Sequence, residues 1–317
     1  MNTSVRKATT TSSWMYARHF GLTEAPFTLT PDTRFCYIHD SYQIALNTLL
    51  VAIRSGEGFT KVVGEVGTGK TLLCRMLLNA LGRDYIVAYI PNPYLEPMTL
   101  LLAIADELGI GYDNTTNQHQ LLKSLTRYLV KCYGQHRQTV VVCLDEAQAM
   151  PVETLEALRL LSNLETQQRK LIQLVLFGQP ELDEKLSRRS IRQLRQRITF
   201  SYTLPALDVE GVENYLCHRL NIAGHRGSPL FSQRAARHIH RASGGIPRLV
   251  NILAHKSLMA AYGQGDRQID GRHVRLAVRD TDMARGTGRG RRLLKYLSSL
   301  ASLAAISAGA LLWGNGL

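Results

Sequence analysis

No two cysteines of this chain stand in a C-x-x-C pair. The five present, Cys36, Cys74, Cys132, Cys143 and Cys217, lie inside apolar segments. That spacing excludes a zinc or disulfide framework, and thiols so placed behave as small hydrophobes in a reducing compartment. A secretory signal is also missing. Met1–Trp14 is rich in Thr and Ser without an apolar core, so residues 1–15 read as a disordered lead. Carboxylates are scarce: 25 Asp and Glu face 38 Lys and Arg, a net charge of +13. Such a balance suggests nucleic acid or an anionic membrane surface. The basic residues gather at Arg188–Arg197, Arg234–Arg241 and Arg285–Lys295, with no Phe, Tyr or Trp interleaved within any of these clusters. A single-strand stacking platform needs those aromatics, so nucleic-acid binding is the weaker reading.

What is present is more specific. Gly64-Glu65-Val66-Gly67-Thr68-Gly69-Lys70-Thr71 fits the phosphate-loop pattern G-x-x-x-x-G-K-[ST] without a mismatch. Phe59–Val63 before it reads as a short strand, and Thr71–Leu81 after it as an apolar-striped helix. Glycines let backbone wrap a phosphate chain, and the N–H groups at the helix start present partial positive charge to it. Lys70 supplies a full charge for the terminal phosphates of ATP, and the Thr71 hydroxyl can ligate Mg²⁺.

Thr139–Leu144 is a continuous apolar run rich in β-branched residues, the pattern of a central strand buried on both faces. It ends in Asp145-Glu146-Ala147-Gln148. A carboxylate there suits Mg²⁺, which assigns Asp145 to the metal, and Glu146 is placed to polarise an attacking water. Two carboxylates capping the next helix are the bland alternative. The phosphate loop upstream favours ATP hydrolysis.

At 317 residues and 45% hydrophobic content, the chain can bury a substantial core. Further strands are expected at Tyr85–Ile90, Leu171–Phe177 and Ile198–Leu204, alternating with helices at Met98–Leu108, Gln118–Cys132 and Val152–Leu164. That alternation predicts an α/β fold with a parallel sheet. After Pro205 the strand signals vanish, and Asp208–Asn221, Ser232–Ala242, Ile246–Ala261 and Asp270–Asp280 read as helices of a separate lid.

Three further positions carry possible roles. Gln179 follows the Leu171–Phe177 strand and is either a polar sensor of the γ-phosphate or a plain turn residue. Arg192–Arg197 precedes the last strand; an arginine there either reaches a neighbouring subunit's nucleotide or is a solvated helix end. Gly244-Gly245-Ile246-Pro247-Arg248 opens a lid helix, with Pro favourable at its start and Arg248 aimed toward the phosphates.

In this order the motifs resemble the AAA+ ATPases. More narrowly, His19–Phe27, Phe35–Tyr37, Phe177–Leu182, Arg192–Ile198 and Gly244–Asn251 resemble the ExeA/GspA-type secretion ATPases. Ile198–Tyr202 and His255–Gly263 resemble the MSHA pilus biogenesis branch of that family, and the likeness extends over about residues 16 to 282. It implies Asp145 on Mg²⁺, Glu146 as base, Gln179 as first sensor, Arg248 as second sensor and Arg197 as arginine finger, with Arg195 the alternative finger. Phe27 and Tyr37 would line the adenine site. A homo-oligomeric ring and inner-membrane pilus or secretion components as partners are implied with them. A DNA-remodelling ATPase shares the core motifs and is the competing class.

Leu297–Trp313 holds 17 uncharged residues. At about 1.5 Å each they span roughly 25 Å, short of the ~30 Å hydrocarbon core. Extending the segment to residues 293–313, with Lys295 snorkelling, brings it close to sufficient. The basic flank Arg285–Lys295 would keep the ATPase on the cytoplasmic face of a bacterial inner membrane, tail-anchored by a single span. A helix packed on a partner is the alternative. The expected organisation is a lead (1–15), an N-terminal ATPase segment (16–45), an α/β nucleotide-binding domain (46–205), a helical lid (206–282), a basic linker (283–292) and a membrane helix (293–313).

Overall fold

The computed structural model describes residues 15–281 apart from residues 31, 114–115, 163 and 166–169. These divide into two compact units, residues 38–205 and residues up to 37 together with those from 206 onward. A one-turn helix, α1 (Met15–His19), and the 3-10 turn Thr33–Phe35 belong to the second unit. The N-terminal ATPase segment expected over 16–45 is therefore shared: its first part packs with the helical unit, and its last part opens α2 (Asp40–Arg54) in the sheet unit.

In the sheet unit the order is β1 (Phe59–Val63), α3 (Lys70–Ala80), β2 (Tyr85–Ile90), α4 (Pro97–Glu107), α5 (Gln118–His136), β3 (Thr139–Leu144), α6 (Val152–Ser162), β4 (Ile172–Gly178), α7 (Glu181–Leu186), α8 (Arg192–Arg195) and β5 (Ile198–Thr203). The five strands form one parallel sheet in the order β2-β3-β4-β1-β5. Strand β3 shows why its sequence is apolar from Val140 to Leu144. Val140, Val142 and Leu144 enter a core built with α4, α5 and α6, while Val141 and Cys143 enter a second core built with α2 and α3. Side chains alternate across a strand, so a central strand covered on both faces is apolar on both, as Val140–Leu144 are.

The second unit is helical: α9 (Val209–Ile222), α10 (Gln233–Ser243), α11 (Pro247–Gly263) and α12 (Gly271–Arg279). Asp208, Ser232 and Asp270, expected as first helical residues, are instead the caps. Each accepts a backbone N–H of the turn it precedes, a geometry that takes the cap itself out of the helix. The stretch from Pro26 to Phe35 joins this bundle through a buried cation. Arg219 donates from Nε to the Pro26 carbonyl at 2.5 Å, and its guanidinium lies 4.8 Å from the Phe35 ring centroid. No helix among the described residues is long and apolar enough to cross a membrane, and the tract expected to do so, residues 293–313, lies outside the described residues.

Candidate nucleotide site

The loop Gly64–Thr71 joins β1 to α3, with Gly67 at φ 83° and Gly69 at φ 99°. Gly69 is required twice over. Its backbone is left-handed, and a Cβ there would overlap the Tyr42 hydroxyl arriving from α2. That hydroxyl hydrogen-bonds to the Thr68 and Gly69 carbonyls at 3.1 and 2.5 Å, so a residue outside the motif braces the loop. The Thr68 hydroxyl donates to the Glu65 carbonyl at 2.8 Å and tightens it further, while Val66 is exposed at the tip. No side chain caps α3, which leaves its first N–H groups available to an anion.

Lys70 is 5% exposed, and its ammonium donates to the Gly64 and Glu65 carbonyls at 2.8 and 3.0 Å. Burial pushes its pKa down; Glu146 and Asp145 pull the other way. Asp145 is 2% exposed, and burial raises its carboxyl above the usual carboxylate range, against the hydrogen bonds it accepts from Thr71 and from the Glu146 N–H. Thr71 Oγ1 donates to Asp145 Oδ2 at 2.6 Å, and the Tyr89 hydroxyl at the end of β2 donates to the same oxygen at 3.4 Å. A hydroxyl and a carboxylate meeting here are hard oxygen donors, the set that suits Mg²⁺.

The order β3-β4-β1 puts the end of β4 between the loop and the end of β3. Gln179, the first residue after β4, thereby reaches Glu146: its Nε2 donates to Glu146 Oε2 at 3.0 Å. Gln148 Nε2 donates to the same oxygen at 2.5 Å, and Gln148 Oε1 accepts the Gln179 backbone N–H at 3.0 Å. Glu146 has φ 54° and ψ 36°, a left-handed conformation that a non-glycine residue adopts at a cost of order 1 kcal/mol or more.

The structure thus brings Lys70, Thr71, Asp145, Glu146 and Gln179 together. Arg197 is elsewhere in the same unit. It precedes Ile198, which pairs with Phe59 at the start of β1, so about five residues of strand, roughly 16 Å, separate its level from the phosphate loop. Arg195 is exposed on α8. Arg248, Phe27 and Tyr37 belong to the helical unit. Arg248 is exposed in the first turn of α11; Phe27 is buried edge-on to Phe231; Tyr37 packs against Tyr215 and His218. Tyr42 and Tyr89 carry no motif; Gln148 closes the run Asp145-Glu146-Ala147-Gln148, but its contacts with Glu146 and Gln179 come only from the fold.

A five-stranded parallel sheet with a glycine-rich loop, a buried lysine and a paired acid makes a P-loop α/β nucleotide-binding fold. Residues 53–186 match the family model described as AAA domain. The chain is 40% identical over 274 residues to General secretion pathway protein A of Aeromonas hydrophila, an alignment that covers 86% of this chain and 50% of that protein. It therefore spans about half the length of the curated relative it matches. Among solved structures, Cdc6p of Pyrobaculum aerophilum aligns with a TM-score of 0.61 at 19% identity, over 82% of this chain and 72% of that one. Drosophila ORC bound to DNA aligns at 0.57 and 18%, over 88% and 69%. The RuvB Holliday junction branch migration motor of Thermotoga maritima aligns at 0.53 and 16%, over 86% and 82%. At such identities the likeness is one of fold.

Proposed function

We propose that the protein binds Mg²⁺-ATP and hydrolyses it, and that turnover serves a type II secretion machine or a related MSHA-type pilus. The carrying observation is the convergence of Lys70, the Thr71–Asp145 pair and the Glu146–Gln179 pair at neighbouring strand ends. Lys70 and the N–H groups of α3 hold the phosphate chain. Thr71 and Asp145 would hold Mg²⁺, which when bound neutralises charge on the phosphate oxygens. Glu146, its carboxylate fixed by Gln179, orients a water and takes its proton as that water attacks the γ-phosphorus in line; the bond to the ADP oxygen breaks and inorganic phosphate leaves.

Arg197, remote from its own phosphate loop, is assigned to a neighbouring subunit's nucleotide in a homo-oligomeric ring. Arg248 is assigned as second sensor, and Phe27 and Tyr37 to the adenine. The secretion role rests on the identity to the Aeromonas protein, and the position on the cytoplasmic face of the inner membrane rests on the Leu297–Trp313 tract.

Phosphate release by the full chain tests the first part. It should need Mg²⁺, stop with a chelator and rise per subunit with protein concentration; a chain inactive at every concentration contradicts it. Fractionation tests the second: association with inner membrane should be lost on deleting residues 293–317. DNA-stimulated turnover with a steep salt dependence would instead favour the DNA-remodelling reading.

A further inference from the structure

Glu146 does not stand alone at the end of β3. A primary amide offers two donors and an acceptor oxygen, and Gln148 divides these between two functional groups. Its Nε2 donates to Glu146 Oε2 at 2.5 Å, and its Oε1 accepts the Gln179 N–H at 3.0 Å. Gln179 closes the ring by donating from its own Nε2 to Glu146 Oε2 at 3.0 Å. Both amides thus fall on one carboxylate oxygen, and neither occupies Oε1.

The ring is braced from outside. Lys185 on α7 donates to the Gln148 carbonyl at 2.5 Å and the Met150 carbonyl at 2.8 Å, which fixes the 3-10 turn Ala147–Ala149 carrying Gln148. Gly178 permits the approach: a Cβ there would come within 2.7 Å of Leu182 Cδ2 and 3.4 Å of Gln148 Oε1. The Ala149 N–H bonds to the Glu146 carbonyl at 2.8 Å, so the same turn helps hold the left-handed backbone at Glu146.

We infer that Gln148 is a positioning residue for ATP hydrolysis: it turns Glu146 so that Oε1 faces its work, and it ties that orientation to the end of β4. This rests on the reading of Glu146 as base. Gln148 touches the base and the Gln179 backbone, and neither of its bonds goes to the loop or to Thr71 or Asp145. Its loss should therefore lower kcat and spare nucleotide affinity. A misplacement of about 1 Å in such a group lowers rates by about 100-fold.

The test compares wild type, Glu146→Gln, Gln148→Met, which keeps the side chain's length without its polar atoms, and Gln148→Glu, which keeps the acceptor and loses the donor. With hydrolysis abolished in Glu146→Gln, both Gln148 variants should lose about 10- to 100-fold in kcat with KM and the Kd for ATP within about two-fold. In the nucleotide-free protein, the Gln148 side-chain amide resonances should shift in Glu146→Ala, and the Gln179 backbone amide should shift in Gln148→Met. Gln148→Met with wild-type kcat, or with kcat and affinity falling together, overturns the inference and leaves the base assignment standing. Full turnover by Glu146→Gln overturns both.

Discussion

Thr71 Oγ1 donates a 2.6 Å hydrogen bond to Asp145 Oδ2 across 74 residues of sequence. Each residue belongs to a separate motif, and this bond makes one site of them. Asp145 is buried, so the Thr71 hydroxyl supports a carboxylate with little water around it. Thr71→Val should cost the nucleotide-free protein about 1–3 kcal/mol by leaving that acceptor short of a donor. It should also remove the Mg²⁺-dependent part of the thermal shift given by ATP. Thr71→Ser should retain both, and melts with and without a chelator check this.

Tyr42 meets the Gly69 carbonyl at 2.5 Å and the Thr68 carbonyl at 3.1 Å. Gly69→Ala would put a methyl into that hydroxyl and strain a backbone at φ 99°. The variant should fold, since β1 and α3 keep their cores, yet show no thermal shift with ATP. Tyr42→Phe removes the hydroxyl alone and should lose about 1 kcal/mol of stability, with weaker nucleotide binding. Titration calorimetry on the pair checks the order.

Asp270 caps α12. Its carboxylate accepts the Gly271 N–H at 2.6 Å and the Ser232 hydroxyl at 3.2 Å, and these bonds hold its carboxyl below the usual value of 3.8. The folded chain then binds that proton less readily than the unfolded chain. The stabilisation is complete above pH 3.8 and is lost as pH falls through the lowered folded value. Asp270→Ala should be about 1 kcal/mol less stable at pH 7. The gap from wild type should narrow below pH 3.8, and denaturant midpoints across acid pH measure it.

How far the sequence alone reaches follows from the range of each interaction. The phosphate loop is local, and β3 announces its two-sided burial by the unbroken apolar run Val140–Leu144. The caps Asp208, Ser232 and Asp270 mark helix starts within a residue. The buried stripe Tyr42, Ala45, Leu46, Leu49, Ala52 and Ile53 has helical spacing, but the hydroxyl of Tyr42 at Gly69 cannot be inferred from it. Helix α7 spans six residues, too few to show a period. The Glu146–Gln148–Gln179 ring needs the neighbouring order of β3 and β4, which no local pattern encodes.

Phosphate release from Mg²⁺-ATP by wild type and Glu146→Gln, each first shown to bind ATP, decides whether Glu146 is the base. Binding should be equal and turnover confined to wild type. Equal turnover by the two proteins would rule Glu146 out as the base.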